Sequence, residues 1–163
     1  MYYNLYYIIK FLTSSKIMNI YKYILLILFF NNAYASDLLE NLILPDGFEI
    51  SIFKEGLDSP RQLAETNNGY IIAGSKQGSE IFALIDEDRD GYSEKKILVA
   101  QNLQNPTGVA FKDNDLYIAE IDTIWVIKEV DEWLASDKNS LPKKTVYMND
   151  LPSNTWHGFK YID

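Results

Sequence analysis

The chain has 163 residues, no cysteine, and 23 acidic against 15 basic residues, for a formal charge of −8. That balance argues against nucleic acid as a partner, because phosphates would be repelled, and the absence of cysteine removes disulfides as a means of holding a small fold together. Stability has to come from burying apolar faces.

Residues 1–35 differ in kind from the rest of the chain: they carry no Asp or Glu, and Tyr23 to Phe30 is an unbroken apolar run behind Lys22. Ala33-Tyr34-Ala35 places small residues at the positions a signal peptidase accepts, which predicts a signal peptide over residues 1–35 cleaved after Ala35. Met1 to Ile17 forms a second basic and apolar segment, so Met18 is the expected true start. The apolar run is far short of the about 20 residues a bilayer span needs. The expectation is an exported protein, periplasmic or secreted, with no stable membrane span after cleavage.

Residues 36–163 are expected to be one β domain. Leu44-Pro45-Asp46-Gly47 reads as a turn, and Phe48 to Phe53 then alternates apolar and polar residues as a half-buried strand does. Two sets of four strands come after it. The first covers Gln62–Glu65, Tyr70–Ala73, Ile81–Ile85 and Lys96–Ala100; the second covers Gly108–Phe111, Leu116–Ala119, Thr123–Lys128 and Thr145–Met148. Within the second set, Glu129 to Lys144 is an insertion whose Val130 to Leu134 suits a helical turn.

The two sets are copies of one pattern. Leu57-Asp58-Ser59-Pro60 answers Leu103-Gln104-Asn105-Pro106, Leu63-Ala64 answers Val109-Ala110, and Tyr70-Ile71-Ile72-Ala73 answers Leu116-Tyr117-Ile118-Ala119, at a constant offset of 46 (103 − 57). A third copy opens at Leu151-Pro152, with Trp156-His157-Gly158 falling where Pro106-Thr107-Gly108 stood. Repeats of roughly 40 to 50 residues, each with about four short strands, mark an all-β β-propeller. The expected content is about two blades, an orphan closing strand at Phe48 to Phe53, and the start of a third blade.

In an up-and-down blade the first strand lines the central channel, so the loops entering first strands share a rim with the loops joining second to third strands. Arg61, Thr107 and His157 then occupy equivalent positions on that rim, with Ser75, Lys76, Glu120 and Asp122 beside them; Gly158 is expected to leave room for a substrate or cofactor. On the opposite rim lies Asp86-Glu87-Asp88-Arg89-Asp90-Gly91-Tyr92-Ser93-Glu94, whose alternating acids and sharp-turn glycine resemble the opening of a calcium loop. Asp86, Asp88, Asp90, Glu94 and the Tyr92 carbonyl are its candidate ligands. An EF-hand would place a Glu where Ile97 stands, so the loop is either a different calcium site or a solvated hairpin turn.

With Leu57-x-x-Pro60-Arg61, the Asp86 to Gly91 loop, Leu103-x-x-Pro106-x-Gly108-Val109-Ala110, Leu116-Tyr117-Ile118-Ala119-Glu120 and Trp156-His157-Gly158 in view, the chain resembles the sorbosone and glucose dehydrogenase family. These are six-bladed propellers related to the soluble quinoprotein sugar dehydrogenases. The resemblance runs from about Leu44 to Asp163 and covers the amino-terminal portion of a family member. It implies an exported oxidoreductase that uses pyrroloquinoline quinone and calcium to oxidise a sugar or sugar aldehyde, with His157 at the catalytic position. The family's Arg, Lys and Asn groups that hold the quinone belong to later blades, so no cofactor-binding residue is carried over. The alternatives are a propeller that binds a sugar or a protein without redox chemistry, and a calcium-dependent lactonase or esterase, for which Glu120 and Asp122 are the candidate carboxylates.

Overall fold

Among the described residues, period-two alternation of apolar residues, punctuated by Gly, Asn and Asp, produces eight short strands, and a six-residue helix follows the seventh. The computed structural model describes residues 39, 41–136 and 139–163 and divides the chain into two units, Met1–Ile50 and Ser51–Asp163. The expected signal peptide over residues 1–35 lies outside the described residues. No helix among them is long and apolar enough to cross a membrane.

In the first unit, Phe48 N–H donates to the Pro45 carbonyl (3.2 Å) and Gly47 has φ 86°, which is the turn expected at Leu44–Gly47. The strand expected next, Phe48 to Phe53, does not form on either side of the unit boundary. A strand exists only through a ladder, and each observed sheet already supplies its own outermost strand, so this stretch finds no three-stranded sheet to complete.

The second unit holds two antiparallel four-stranded sheets in simple sequential order. The first blade comprises β1 (Pro60–Glu65), β2 (Ile71–Ser75), β3 (Ile81–Ile85) and β4 (Lys95–Ala100). The second comprises β5 (Gly108–Lys112), β6 (Asp115–Ala119), β7 (Ile124–Ile127) and β8 (Lys144–Met148), with α1 (Val130–Ala135) in the expected insertion. Beyond β8, residues 149–163 form no strand.

The two sheets bury a common core. Ile72, Ile81, Ala83 and Val99 from the first blade meet Val109, Leu116, Ile118 and Ile127 from the second, and α1 adds Val130 and Leu134. Burying an Ile or Leu of this kind contributes about 1.5–3 kcal/mol, so these contacts dominate the stability of a chain without cross-links. At the end of the second blade remote from the His157 segment, Asp115 forms a 2.5 Å ion pair with Lys128. The hydrogen bond to that carboxylate holds the exposed Lys128 above the usual lysine range.

The constant offset of 46 holds for the first strands and fails at the first hairpin. Ala64 pairs with Ile72, whereas its counterpart Ala110 pairs with Tyr117, an offset of 45 (117 − 72). The cause is turn chemistry. In the second blade Asp113 (φ 51°) and Asn114 (φ 73°) make a two-residue hairpin with both central residues at positive φ, the form that suits strand twist. The first blade uses a longer loop through Thr66–Tyr70, with Gly69 at φ 81° and Thr66 N–H donating to the Tyr70 carbonyl. Ile72 therefore corresponds to Tyr117, not to Ile118. The correspondence fits burial: Ile72 faces the second blade, while Tyr117 is on the opposite, partly exposed face of its own.

Candidate functional site

Each second strand is tied to the loop that enters the first strand of its own blade. Ser75 Oγ donates to the Asp58 carbonyl (2.6 Å) and accepts the Gly78 N–H (2.8 Å). Glu120 Oε1 accepts the Gln104 N–H (2.7 Å). Asp58 and Gln104 are repeat equivalents at 46, and Ser75 and Glu120 are equivalents at 45, so the two contacts are one latch built twice. The Glu120 carboxylate, a candidate for hydrolysis from the sequence, is engaged in holding its blade together.

The same end of the unit collects the other expected rim residues. Ser75 N–H donates to the Pro106 carbonyl (2.9 Å) and Lys76 N–H to the Ser59 carbonyl (2.9 Å), joining the loop after β2 to the heads of β1 and β5. Gly74 permits that approach, since an added Cβ would lie 2.5 Å from the Thr107 carbonyl oxygen. Thr107 is buried and its hydroxyl donates to the Asn105 carbonyl, while Arg61 is exposed. The Asp122 carboxylate accepts the Thr123 hydroxyl (3.0 Å), and its carbonyl accepts the Leu151 N–H (3.4 Å).

His157 sits on a tight turn in Pro152–Lys160. Its φ is 58°, its ring is exposed, and it meets Trp156 edge to face at 5.1 Å. Gly158 does not leave the room expected of it. It is buried, and an added Cβ would stand 1.9 Å from the Asn154 carbonyl oxygen and 3.1 Å from a methyl of Ile121, so the glycine serves the turn itself. Lys160 Nζ closes the turn by donating to the Gly158 (2.7 Å) and Pro152 (3.4 Å) carbonyls.

Gln62 is a residue that sequence reasoning missed. It is 8% exposed, and its Nε2 donates to the Val109 carbonyl in β5 (2.9 Å) and to the Ile162 carbonyl (2.6 Å). The signal was present in the repeat: Gln62 stands where the next two copies carry Gly108 and Gly158. A side chain at Gly108 would collide with the Lys160 carbonyl, so the chain carries a long polar group at one of three equivalent heads and none at the others.

The Asp-rich loop between β3 and β4 lies at the opposite end of the blade. Asp86 accepts the N–H groups of Arg89 (2.7 Å), Asp90 (3.2 Å) and Gly91 (2.9 Å), and Asp90 accepts that of Tyr92 (2.8 Å). Carboxylate oxygens of Asp86, Asp88, Asp90 and Glu94 all come within 4.8 Å of one another. Lys95 pairs with Glu87 (2.5 Å) beside them, and fully buried Ser93 anchors the returning strand through hydrogen bonds to the Ile85 and Lys95 carbonyls.

No protein-family profile matches the chain. It is 30% identical over 135 residues to an uncharacterized protein of Borreliella burgdorferi, an alignment that covers 78% of this chain and 34% of that protein. The chain thus spans about a third of that relative's length. Among solved structures, it superposes on the PQQ domain of pyranose dehydrogenase from Coprinopsis cinerea with a TM-score of 0.53 at 15% identity, covering 67% of this chain and 25% of that one. It also superposes on the Trichoderma reesei carbohydrate-active enzyme of family AA12 with a TM-score of 0.58 at 16% identity, covering 73% and 30%. The fold is a β-propeller. In propeller terms, Gln62, Arg61, Thr107, Lys76 and His157 lie at the end where first strands begin, and the Asp-rich loop lies at the other.

Proposed function

We propose that this chain is the amino-terminal portion of an exported, pyrroloquinoline quinone-dependent sugar dehydrogenase of the sorbosone and glucose dehydrogenase type, oxidising a sugar hydroxyl or aldehyde, with His157 as its base. The observation that carries the reading is the position of the chain's single histidine: exposed on the first-strand rim of a propeller whose structural neighbours include a PQQ domain. Coverage of a quarter to a third of the neighbours and of the relative supports a site completed by further blades.

The chain's own share of the chemistry is proton transfer. An imidazole nitrogen in its neutral form takes the hydroxyl proton as hydride leaves the same carbon, the part a histidine plays as a general base. The quinone, when bound, supplies the hydride acceptor. Arg61 and Lys76 give this rim two cations, a charge that suits an anionic quinone, and neither is assigned as its ligand. The turn that carries His157 is held by Gly158 and Lys160, which fixes the imidazole relative to the rim.

Calcium is proposed at Asp86, Asp88, Asp90, Glu94 and the Tyr92 carbonyl. All-oxygen donors on a turn with converging carboxylates are the ligand set a hard divalent cation takes. At the rim remote from His157, its role is structural.

The test is to reconstitute the full-length propeller with quinone and calcium and to follow sugar-dependent dye reduction in the unaltered protein and in His157→Gln. A mutant that binds quinone normally and keeps its turnover would remove His157 from the chemistry. A full-length protein that neither binds the quinone nor oxidises a sugar would leave the non-redox binding propeller.

A further inference from the structure

We propose that Gln62 and Lys76, both from the first blade, are positioning residues that hold the His157 segment at two points; that His157 is the base rests on the function proposed above. Residues 149–163 have no ladder to hold them; the Leu151 N–H bond to the Asp122 carbonyl ties their start, and beyond it they are placed by side-chain contacts. Two of these come from more than eighty residues away in sequence and skip the second blade's outer strands. Lys76 Nζ lies over the Phe159 ring, 5.4 Å from its centroid, within the range in which an ammonium is attracted to an aromatic face. Gln62 Nε2 holds the Ile162 carbonyl at 2.6 Å. The anchors fall two and five positions after His157, with buried Gly158 between His157 and the first of them.

Both anchors are themselves fixed. Lys76 begins from a backbone whose N–H is bonded to the Ser59 carbonyl, and Gln62 shares its amide with the Val109 carbonyl of β5. Gln62 thereby registers three successive first-strand segments against one another. Its Oε1 is buried with no hydrogen-bond partner among the described residues. Burying that acceptor unpaired has a cost, which the two donations from Nε2 offset. Lys76 makes no ion pair among the described residues, so no carboxylate there draws its ammonium from the ring.

The test uses the full-length propeller with Gln62→Met, which keeps length and removes the donors, Lys76→Met, and Lys76→Arg, which keeps a cation over the ring. Amide hydrogen exchange across Asn154–Ile162 is expected to rise on the order of tenfold in the two Met variants while exchange in β2 to β4 and β6 to β8 is unchanged, and to return towards the unaltered rate in Lys76→Arg. The kcat for sugar oxidation is expected to fall roughly 10-fold to 100-fold with KM nearly constant, because the base is displaced and the substrate contacts are not. Unchanged exchange in this segment overturns the clamp, as does faster exchange with kcat untouched. Should Gln62→Met fail to fold, the Lys76 pair carries the test. If the unaltered protein oxidises no sugar, the quinone reading falls alone. The ring NMR signal of His157, single in this chain, then decides with the exchange data: a signal unmoved in both Met variants overturns the clamp.

Discussion

His157 and Gly158 are adjacent and do different work. The imidazole is exposed at φ 58°, a backbone region that costs a non-glycine residue energy and persists only where the surroundings impose it. What imposes it is the turn closed by the Asn154 carbonyl against Gly158 and by Lys160 across two carbonyls. Gly158→Ala is expected to open this turn, destabilising the segment by about 1–3 kcal/mol as overpacking does, and faster hydrogen exchange confined to Pro152–Ile162 would report it. Under the proposed function, His157→Gln should leave the turn intact and lower turnover on the order of 100-fold or more, in line with the loss of a general base. The pair separates the proposed base from the glycine that lets its turn close.

Two loops bear on local register and on the proposed calcium site. The Asp113–Asn114 hairpin depends on positive φ at both residues, and Asp113→Val would force a β-branched side chain into that region. The expected loss is about 1–2 kcal/mol, read from denaturant unfolding of the full-length propeller; an unchanged midpoint would mean the turn rearranges. In the Asp86–Glu94 loop, four carboxylates repel one another unless a cation or N–H donors compensate them. Calcium is expected to raise the melting temperature by mass action, and Asp88→Ala to abolish most of that rise. Asp88 is the informative choice because its own hydrogen bond, to the Asp90 N–H, is long at 3.2 Å, so its removal disturbs the turn least. An equal calcium response in the mutant would leave a hairpin turn and no site.

Across the two blades, some apolar side chains stand exposed on the sheet faces. Leu63 on β1 is 61% exposed, and Val146 and Tyr147 on β8 are 49% and 60% exposed. Propeller blades cover such faces with neighbours, and a strand edge without cover is a template for association. Ser36–Asp163 expressed by itself is therefore expected to self-associate, which size-exclusion chromatography with light scattering would detect. A sharp, cooperative melt of a soluble monomer would show that two blades suffice.

Strand positions were legible in the sequence because period-two alternation and turn residues act locally: all eight strands fall within two residues of their expected bounds, and α1 lies in the expected insertion. The repeat also placed Arg61, Lys76, Thr107 and His157 at one end, since the channel-lining role of a first strand follows from topology. What it could not give was anything set by pairing across space. The strand expected at Phe48 to Phe53 has the right alternation and no ladder to join. The offset of 46 slips to 45 because two hairpins solve the same reversal with loops of different length. Glu120 reads as a free carboxylate until its bond to Gln104 is seen, and Gln62 reads as an ordinary strand residue until its amide is found between Val109 and Ile162. Alternation fixes which face a side chain takes; only the packed blades decide what stands opposite it.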